Sequence, residues 1–114
     1  MYIAIDGDDT GRRLESFLLR DDHEGAATFS LAVADALDSL RERFETKGAR
    51  IVFCAGDSLL AEAGNAIVDQ LPPPASGPVS WSIGIGKTPS HAVLALKLAK
   101  GLGRNRVSYF PEEV

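Results

Sequence analysis

The sequence predicts a single α+β domain, spanning residues 1–114, with a mixed and mainly antiparallel sheet of the ferredoxin-like type. Three observations support this fold class. Two apolar segments flank a tight turn at residues 55–58 and predict a β-hairpin. Residues 1–5 are continuously apolar, which is typical of a central strand. The predicted order of elements, βααββαβαβ, separates the other strands by helices, which we expect to pack largely on one face of the sheet.

The first half of the chain contains two predicted helices. Residues 12–19 form a short helical segment, and the polar residues 21–25 interrupt it. Residues 26–46 form the longest predicted helix, because apolar side chains recur along it at spacings of three and four: Phe29, Val33, Leu37, Leu40 and Phe44. This spacing builds one apolar stripe, so we expect the helix to lie against the sheet.

The second half alternates between helices and strands after the hairpin. Its predicted elements are a short helix at residues 62–71, a proline-rich loop at 72–78, a strand at 79–86, a helix at 90–102 and a last strand at 106–110. Gly84 and Gly86 interrupt the strand at 79–86, which indicates that something approaches this backbone closely.

Composition narrows the classes of function. The net charge is −4 and the pI is about 5.1, which argues against a general surface for duplex nucleic acid. The single cysteine, Cys54, excludes an internal disulfide and a zinc cluster of cysteines. No apolar segment approaches the roughly 20 residues of a membrane span, so we expect a cytoplasmic protein that does not enter the membrane.

Four carboxylates form the candidate metal site. Asp6, Asp8 and Asp9 follow the first strand, and Asp57 lies at the tip of the hairpin. If the first strand pairs beside the hairpin, Asp6 and Asp57 lie close together. Two carboxylates ~4 Å apart repel by roughly 4 kcal/mol at an effective dielectric constant of ~20, so such a pair favours a bound cation. Carboxylate oxygens suit Mg²⁺ or Mn²⁺; the alternative interpretation is four ordinary turn carboxylates.

Two further features point to phosphate groups. A set of cations lies near the C-terminus, at Lys97, Lys100, Arg104 and Arg106, although basic residues at a helix end also complement the helix dipole. The turn at residues 7–11 leads into a helix, and its free N–H groups are suited to phosphate oxygens. Metals, cations and such a turn together fit nucleotidyl transfer. In that reaction Asp6 and Asp57 bridge two metal ions, and the Gly7 carbonyl completes the coordination.

The order of short motifs along the chain resembles the palm domain of GGDEF diguanylate cyclases and of the polymerase subunit of type III CRISPR complexes. The compact length and the acidic opening most closely resemble the minimal CRISPR polymerase family, mCpol. The matching motifs cover essentially the whole chain and are Asp6-Gly7-Asp8, Ala55-Gly56-Asp57-Ser58, Ser82-Ile83-Gly84-Ile85 and Ala99-Lys100-Gly101-Leu102-Gly103-Arg104-Asn105.

This resemblance implies a nucleotidyltransferase that makes a cyclic oligonucleotide with Mg²⁺ or Mn²⁺ in anti-phage signalling. It assigns the metal-ligand positions to Asp6 and Asp57, and the phosphate-binding lysine position to Lys100. A small membrane effector, separate from this chain, is implied to sense the product. We expect the metal ligands to be Asp6, Gly7 and Asp57, and the nucleotide to contact Asp8, Asp9, Thr10, Gly11, Arg12, Gly56, Ser58, Lys97, Lys100 and Arg104.

Two departures from the cyclase pattern bear on the substrate. Ser58 replaces the acidic residue that follows the hairpin aspartate in the cyclases, a loss for which Asp8 or Asp9 is a candidate to compensate. Leu14 aligns with the asparagine that reads guanine in the cyclases, which favours ATP as the nucleotide. The resemblance to mCpol implies a cyclic di-adenylate as the product. A mixed 2′,3′ linkage is one of the linkages that the resemblance leaves open.

A palm of this kind holds one nucleotide, so closing a ring from two nucleotides predicts a homodimer with facing sites. Two other functions remain open on the sequence. Archaeal GTP cyclohydrolase III has a palm-like fold and a similar acidic opening, but it hydrolyses a purine ring. A palm that has lost its activity, and only binds a nucleotide or a partner subunit, is the second alternative.

Overall fold

The computed structural model of the protein describes residues 1–64 and 79–111. These residues form five strands and three helices, which confirms the predicted α+β class. In chain order they are β1 (Tyr2–Gly7), α1 (Thr10–Leu19), α2 (His23–Thr46), β2 (Arg50–Ala55), β3 (Ser58–Glu62), β4 (Trp81–Gly86), α3 (Pro89–Gly101) and β5 (Val107–Tyr109).

The N-terminal strand β1 lies at the centre of the sheet. The strand order is β2-β3-β1-β4-β5, and β1 pairs antiparallel with both β3 and β4. The only parallel pair among the described strands is β4 with β5, so the sheet is mixed and mainly antiparallel, as predicted. At the end of β1, Asp6 stands opposite Ser58 of β3 and Ser82 of β4. The end of the central strand therefore lies beside the β2–β3 hairpin.

Helices α1 and α2 cover one face of this sheet. The five residues of the predicted apolar stripe on α2 are all buried and join the main hydrophobic core. Ile3 and Ile5 of β1 point into the same core, and Leu14 and Phe17 of α1 pack against it. Because burying a large aliphatic or aromatic side chain contributes about 1.5–3 kcal/mol, this layer holds most of the apolar burial that stabilises the fold.

Helix α3 lies on the opposite face, so two of the three described helices share a face. Side chains alternate along β1, and Ala4 packs with Leu60 and Ala92 on this second side. A Cβ atom on Gly84 would lie 2.2 Å from both the backbone oxygen of Ala92 and the backbone nitrogen of Leu96. The close approach predicted at this glycine is therefore that of the α3 backbone itself.

Several element boundaries differ from the prediction. Helix α2 begins at His23 instead of residue 26, because the Asp22 side chain accepts a hydrogen bond from the Gly25 amide at 2.9 Å and caps the helix. The helix predicted from residue 62 is wrong at its start, because Glu62 pairs with Tyr2 as the last residue of β3. Residues 65–71 of that prediction and the proline-rich loop lie outside the described residues.

None of the helices in residues 1–64 and 79–111 combines the length and the apolarity that crossing a bilayer requires.

Candidate active site

The structure brings Asp6 and Asp57 together at the junction of β1 with the β2–β3 hairpin. The amide of Gly7 donates a hydrogen bond to the backbone oxygen of Asp57 at 3.0 Å. A Cβ atom on Gly7 would lie 3.1 Å from Asp57 Oδ2, so the carboxylate packs directly against the residue that follows Asp6. Gly56, with φ of 60°, adopts the left-handed conformation that turns the hairpin at this point.

The Ser58 hydroxyl lies between the two carboxylates. Its Oγ donates to Asp6 Oδ1 at 2.6 Å and lies 3.4 Å from Asp57 Oδ1. Asp6 Oδ1 and Asp57 Oδ1 are therefore no farther apart than the sum of these two distances. A hydroxyl has one proton, and the shorter distance indicates that Ser58 gives it to Asp6.

Lys100 of α3 supplies a positive charge to the same cluster. Its Nζ atom lies 2.5 Å from Asp6 Oδ2 and donates to the Gly7 backbone oxygen at 3.3 Å. The side chains of Lys100 and Asp6 are each 27% exposed, so the pair is half-buried. The Asp6 carboxylate and the Gly7 carbonyl, which the sequence predicted to bind a metal, therefore both contact the Lys100 ammonium group.

Thr10 connects the start of α1 to the hairpin. Asp9 occupies the cap position of α1 with φ of 56° and makes no side-chain cap hydrogen bond. Thr10 is the first residue of α1, and its hydroxyl donates to Asp57 Oδ2. This contact holds the orientation of the Asp57 carboxylate.

Asp9 lies between two arginines at the same end of α1. Its Oδ1 atom is 3.6 Å from Arg12 Nη2 and 3.6 Å from Arg104 Nε. The Arg12 side chain is 79% exposed, whereas the Arg104 side chain is more covered. The predicted turn at residues 7–11 is thus flanked by Lys100 and by two arginines. Lys97, one turn before Lys100 on α3, is exposed.

Asp8 does not join the Asp6–Asp57 cluster. It is 6% exposed, and its carboxylate accepts hydrogen bonds from the hydroxyls of Ser80 and Ser82 at 2.6 Å each. The Asn105 amide donates to it as a third partner at 2.9 Å. These contacts tie β1 to β4 and to the loop before β5, which gives Asp8 a role in the fold. The sequence signal for them was the spacing of Ser80 and Ser82, which places both on one face of a strand.

A cavity of about 330 Å³ opens beside Asp57 between α1, α2 and the hairpin. Its wall is mostly apolar, with hydroxyl groups and one carboxylate at its rim. The lining residues are Thr10, Gly11, Leu14, Phe29, Ser30, Val33, Ala34, Gly56 and Asp57. Phe29 and Val33 were predicted only as core residues. The stripe on α2 therefore serves both the core and the cavity, which helical spacing alone does not distinguish.

The candidate metal ligands are few but chemically consistent. Within residues 1–64 and 79–111, no group of three or more histidine, cysteine, aspartate or glutamate side chains is arranged to hold a metal ion. The set at this site consists of the Asp6 and Asp57 carboxylates and the Gly7 carbonyl. All three are hard oxygen donors, which suit Mg²⁺ or Mn²⁺ with water or phosphate oxygens in the remaining positions. The Lys100 contact adds evidence that these oxygens attract a cation.

A central strand that ends in paired carboxylates, next to a basic helix end, places the chain among palm-like α+β domains. The family model of the minimal CRISPR polymerase domain, mCpol, matches residues 2–110. The chain therefore belongs to the mCpol family, as the motifs of the sequence implied. No curated protein matches the chain at a significant level. Membership in this family supports a nucleotidyltransferase-like domain. Its function is expected to be like that of the CRISPR-associated polymerases and cyclases.

Proposed function

We propose that the protein is a metal-dependent nucleotidyltransferase that joins two molecules of ATP into a cyclic dinucleotide and releases pyrophosphate. The observation that carries this proposal is the convergence of Asp6, Asp57 and Lys100 on one point of the sheet, in a chain of the mCpol family. Two carboxylates and a lysine are the groups that a metal-bound triphosphate requires.

Asp6, Asp57 and the Gly7 carbonyl would hold the divalent cations. When bound, Mg²⁺ or Mn²⁺ lowers the pKa of the attacking ribose hydroxyl and offsets charge on the leaving pyrophosphate. The chain's own contribution is to fix these oxygens. Ser58 donates to Asp6 and Thr10 donates to Asp57, so both carboxylates are oriented by a hydroxyl before any ligand arrives.

The triphosphate would lie along the turn between β1 and α1. Lys100 and Arg104 approach this turn from α3 and the loop that follows it, and Arg12 approaches it from α1. Their charges offset those of the phosphates, which the net charge of −4 on the whole chain does not. Backbone N–H groups in the first turn of α1 add donors for phosphate oxygens.

The cavity beside Asp57 is the proposed site of the base. Its volume of about 330 Å³ and its apolar walls suit a planar purine, because Leu14, Phe29 and Val33 offer surfaces to its faces. The hydroxyl of Ser30 is the polar group on the α2 side. Leu14 provides no hydrogen-bond donor or acceptor for the edge of guanine, which supports adenine as the base.

Ring closure requires a second copy of the chain. The cavity beside Asp57 and the Asp6–Asp57 cluster of one protomer hold one nucleotide in this proposal, so each ribose hydroxyl must reach the α-phosphate held by another protomer. A homodimer with facing sites meets this need. In this proposal the product is a cyclic di-AMP, made in the cytoplasm as a second messenger of anti-phage defence. A separate membrane-bound effector senses this product. A mixed 2′,3′ linkage is one of the linkages open to the ring.

The test is a product analysis of the purified protein incubated with a mixture of all four NTPs and Mg²⁺ or Mn²⁺. Mass spectrometry is expected to find a cyclic dinucleotide that contains adenine, with two pyrophosphates released for each ring. Digestion with nucleases specific for 2′ or 3′ linkages then assigns the ring bonds. A formamidopyrimidine product would replace the proposal by GTP ring hydrolysis. Nucleotide binding without any pyrophosphate release would make the domain a binding module.

A further inference from the structure

Lys100 contacts the same oxygens that the proposed function assigns to a divalent cation. Its Nζ lies 2.5 Å from Asp6 Oδ2 and 3.3 Å from the Gly7 backbone oxygen. Magnesium binds oxygen ligands at about 2.0–2.1 Å, so an ion that used both oxygens would compete with the ammonium group for them. The two cations would also repel each other across a short distance.

The Lys100 side chain is able to move away from Asp6. Its side chain is 27% exposed at the end of α3, and its four-carbon stem carries a compact charge with several rotatable bonds. A nucleotide whose phosphates lie along the turn between β1 and α1 offers new oxygen acceptors near the present position of Nζ. Without a nucleotide, Asp6 is the carboxylate that the structure pairs with this lysine.

We infer that Lys100 is an internal counter-ion which a divalent cation displaces from Asp6 and Gly7, and that the displacement is completed only when a phosphate receives the ammonium group. This inference rests on the proposed function for the identity of the ligands. It adds an order of events at the site: metal binds weakly alone and tightly with nucleotide. Because coupling between two ligands is reciprocal, the metal raises nucleotide affinity by the same factor.

The experiment measures Mn²⁺ binding without nucleotide, by electron paramagnetic resonance of the free ion, at fixed pH and ionic strength. Lys100→Met removes the charge at similar side-chain length, and Lys97→Met removes one charge from an exposed position one turn away. We expect Lys100→Met to bind Mn²⁺ at least tenfold more tightly than the native chain. Lys97→Met is expected to change the affinity less than twofold, and Lys100→Arg, which keeps the charge, to remain weak.

A second measurement adds a non-hydrolysable ATP analogue with a methylene group between its α- and β-phosphates. Because its phosphates themselves bind Mn²⁺, the analogue is expected to tighten Mn²⁺ binding in both chains, after the Mn²⁺ held by the analogue alone is subtracted, but at least threefold more in the native chain than in Lys100→Met. If Lys100→Met fails to fold, Lys100→Gln, which also removes the charge, supplies the same comparisons. Equal Mn²⁺ affinity in Lys100→Met and the native chain, or equal tightening by the analogue in the two chains, overturns the inference.

The outcome is separable from that of the proposed function. Tighter Mn²⁺ binding in Lys100→Met, together with a native protein that releases no pyrophosphate, retains the exchange at Asp6 and rejects the transferase. Pyrophosphate release by the native protein, without any gain of Mn²⁺ affinity in Lys100→Met, rejects the exchange and retains the transferase. An equal gain in Lys97→Met would show an effect of overall charge and also reject the exchange.

Discussion

Asp6 and Asp8 stand two positions apart in the sequence, yet the fold gives them opposite surroundings. Asp8 is 6% exposed and accepts three hydrogen bonds, from two serine hydroxyls and one backbone amide. Asp6 is 27% exposed and has one hydroxyl and one lysine as partners. Strand β1 ends at Gly7, but the Asp8 backbone still donates to the Ser80 backbone oxygen at 2.9 Å, which places the Asp8 carboxylate beside the serines of β4.

This comparison distinguishes Asp8, a carboxylate that stabilises the fold, from Asp6, a carboxylate that is available to a ligand. A buried charge is tolerated when it is hydrogen-bonded, as Asp8 is by three donors. Asp6 and Asp57 depend on single hydroxyls of Ser58 and Thr10, and Lys100 is a partner that is able to move. Incomplete, exchangeable partners are what a site for a metal and a phosphate needs.

The largest expected effect is on the ligand side of this comparison. Asp57→Asn keeps the size of the side chain and an oxygen that accepts from Thr10, but it removes the charge. We expect the rate of pyrophosphate release to fall by more than about 100-fold, because loss of a metal ligand costs more than loss of a supporting partner. Stability is expected to change by less than about 0.5 kcal/mol, as for most substitutions at exposed or half-exposed turns.

Asp9→Asn is the matched control, because it removes one carboxylate charge from the same end of α1 outside the Asp6–Asp57 cluster. Its rate should remain within about tenfold of the native rate. An Asp57→Asn variant that retains more than a tenth of the native rate would remove the hairpin from the mechanism.

The second largest effect is expected on stability, at the structural carboxylate Asp8. Asp8→Ala leaves two serine hydroxyls and one amide without their buried acceptor, and we expect the free energy of unfolding to fall by about 3 kcal/mol. Asp6→Ala removes a half-buried ion pair but also the repulsion between Asp6 and Asp57, and should cost less than about 1 kcal/mol. Urea denaturation of both variants measures the contrast. Equal losses in the two variants would contradict the division between structural and ligand-binding carboxylates.

The smallest effect concerns a supporting hydroxyl. Thr10→Val preserves the shape of the side chain but removes the donor to Asp57, and is expected to lower the rate of pyrophosphate release about tenfold. Ser16→Ala, further along α1, is the control, because the Ser16 hydroxyl accepts from Arg20 at 3.3 Å and not from the site; it should leave the rate unchanged. A native rate in Thr10→Val would mean that Asp57 is held by its backbone contacts alone.

The fold and the meeting of the two acidic segments could be predicted from the sequence, because both depend on local patterns. The spacing on α2 predicted its buried stripe, and the apolar segments around Gly56 predicted the hairpin that stands beside β1. Gly84 predicted a close approach, which is that of α3. The position of α3 on the other face was not predictable, because its buried residues are small alanines that give little apolar contrast.

The detailed contacts of the site could not be predicted, because they depend on sheet register and on side-chain direction. Asp8 meets Ser80 and Ser82 only through the antiparallel pairing of β1 with β4. The hydroxyl of Thr10 reaches Asp57 across the junction of α1 with the hairpin, between residues that lie far apart in the sequence. The contact of Lys100 with Asp6 requires α3 to cross the end of β1, which no local pattern reports.

The most direct test of the central claim is the location of a metal ion in crystals grown with Mn²⁺ and the non-hydrolysable ATP analogue. Anomalous scattering identifies manganese without reference to any assumed chemistry. The proposed site predicts a peak within about 2.3 Å of carboxylate oxygens from both Asp6 and Asp57, with Lys100 turned towards phosphate. Manganese bound elsewhere, or nucleotide bound while Lys100 stays on Asp6 and no metal is present, would contradict it.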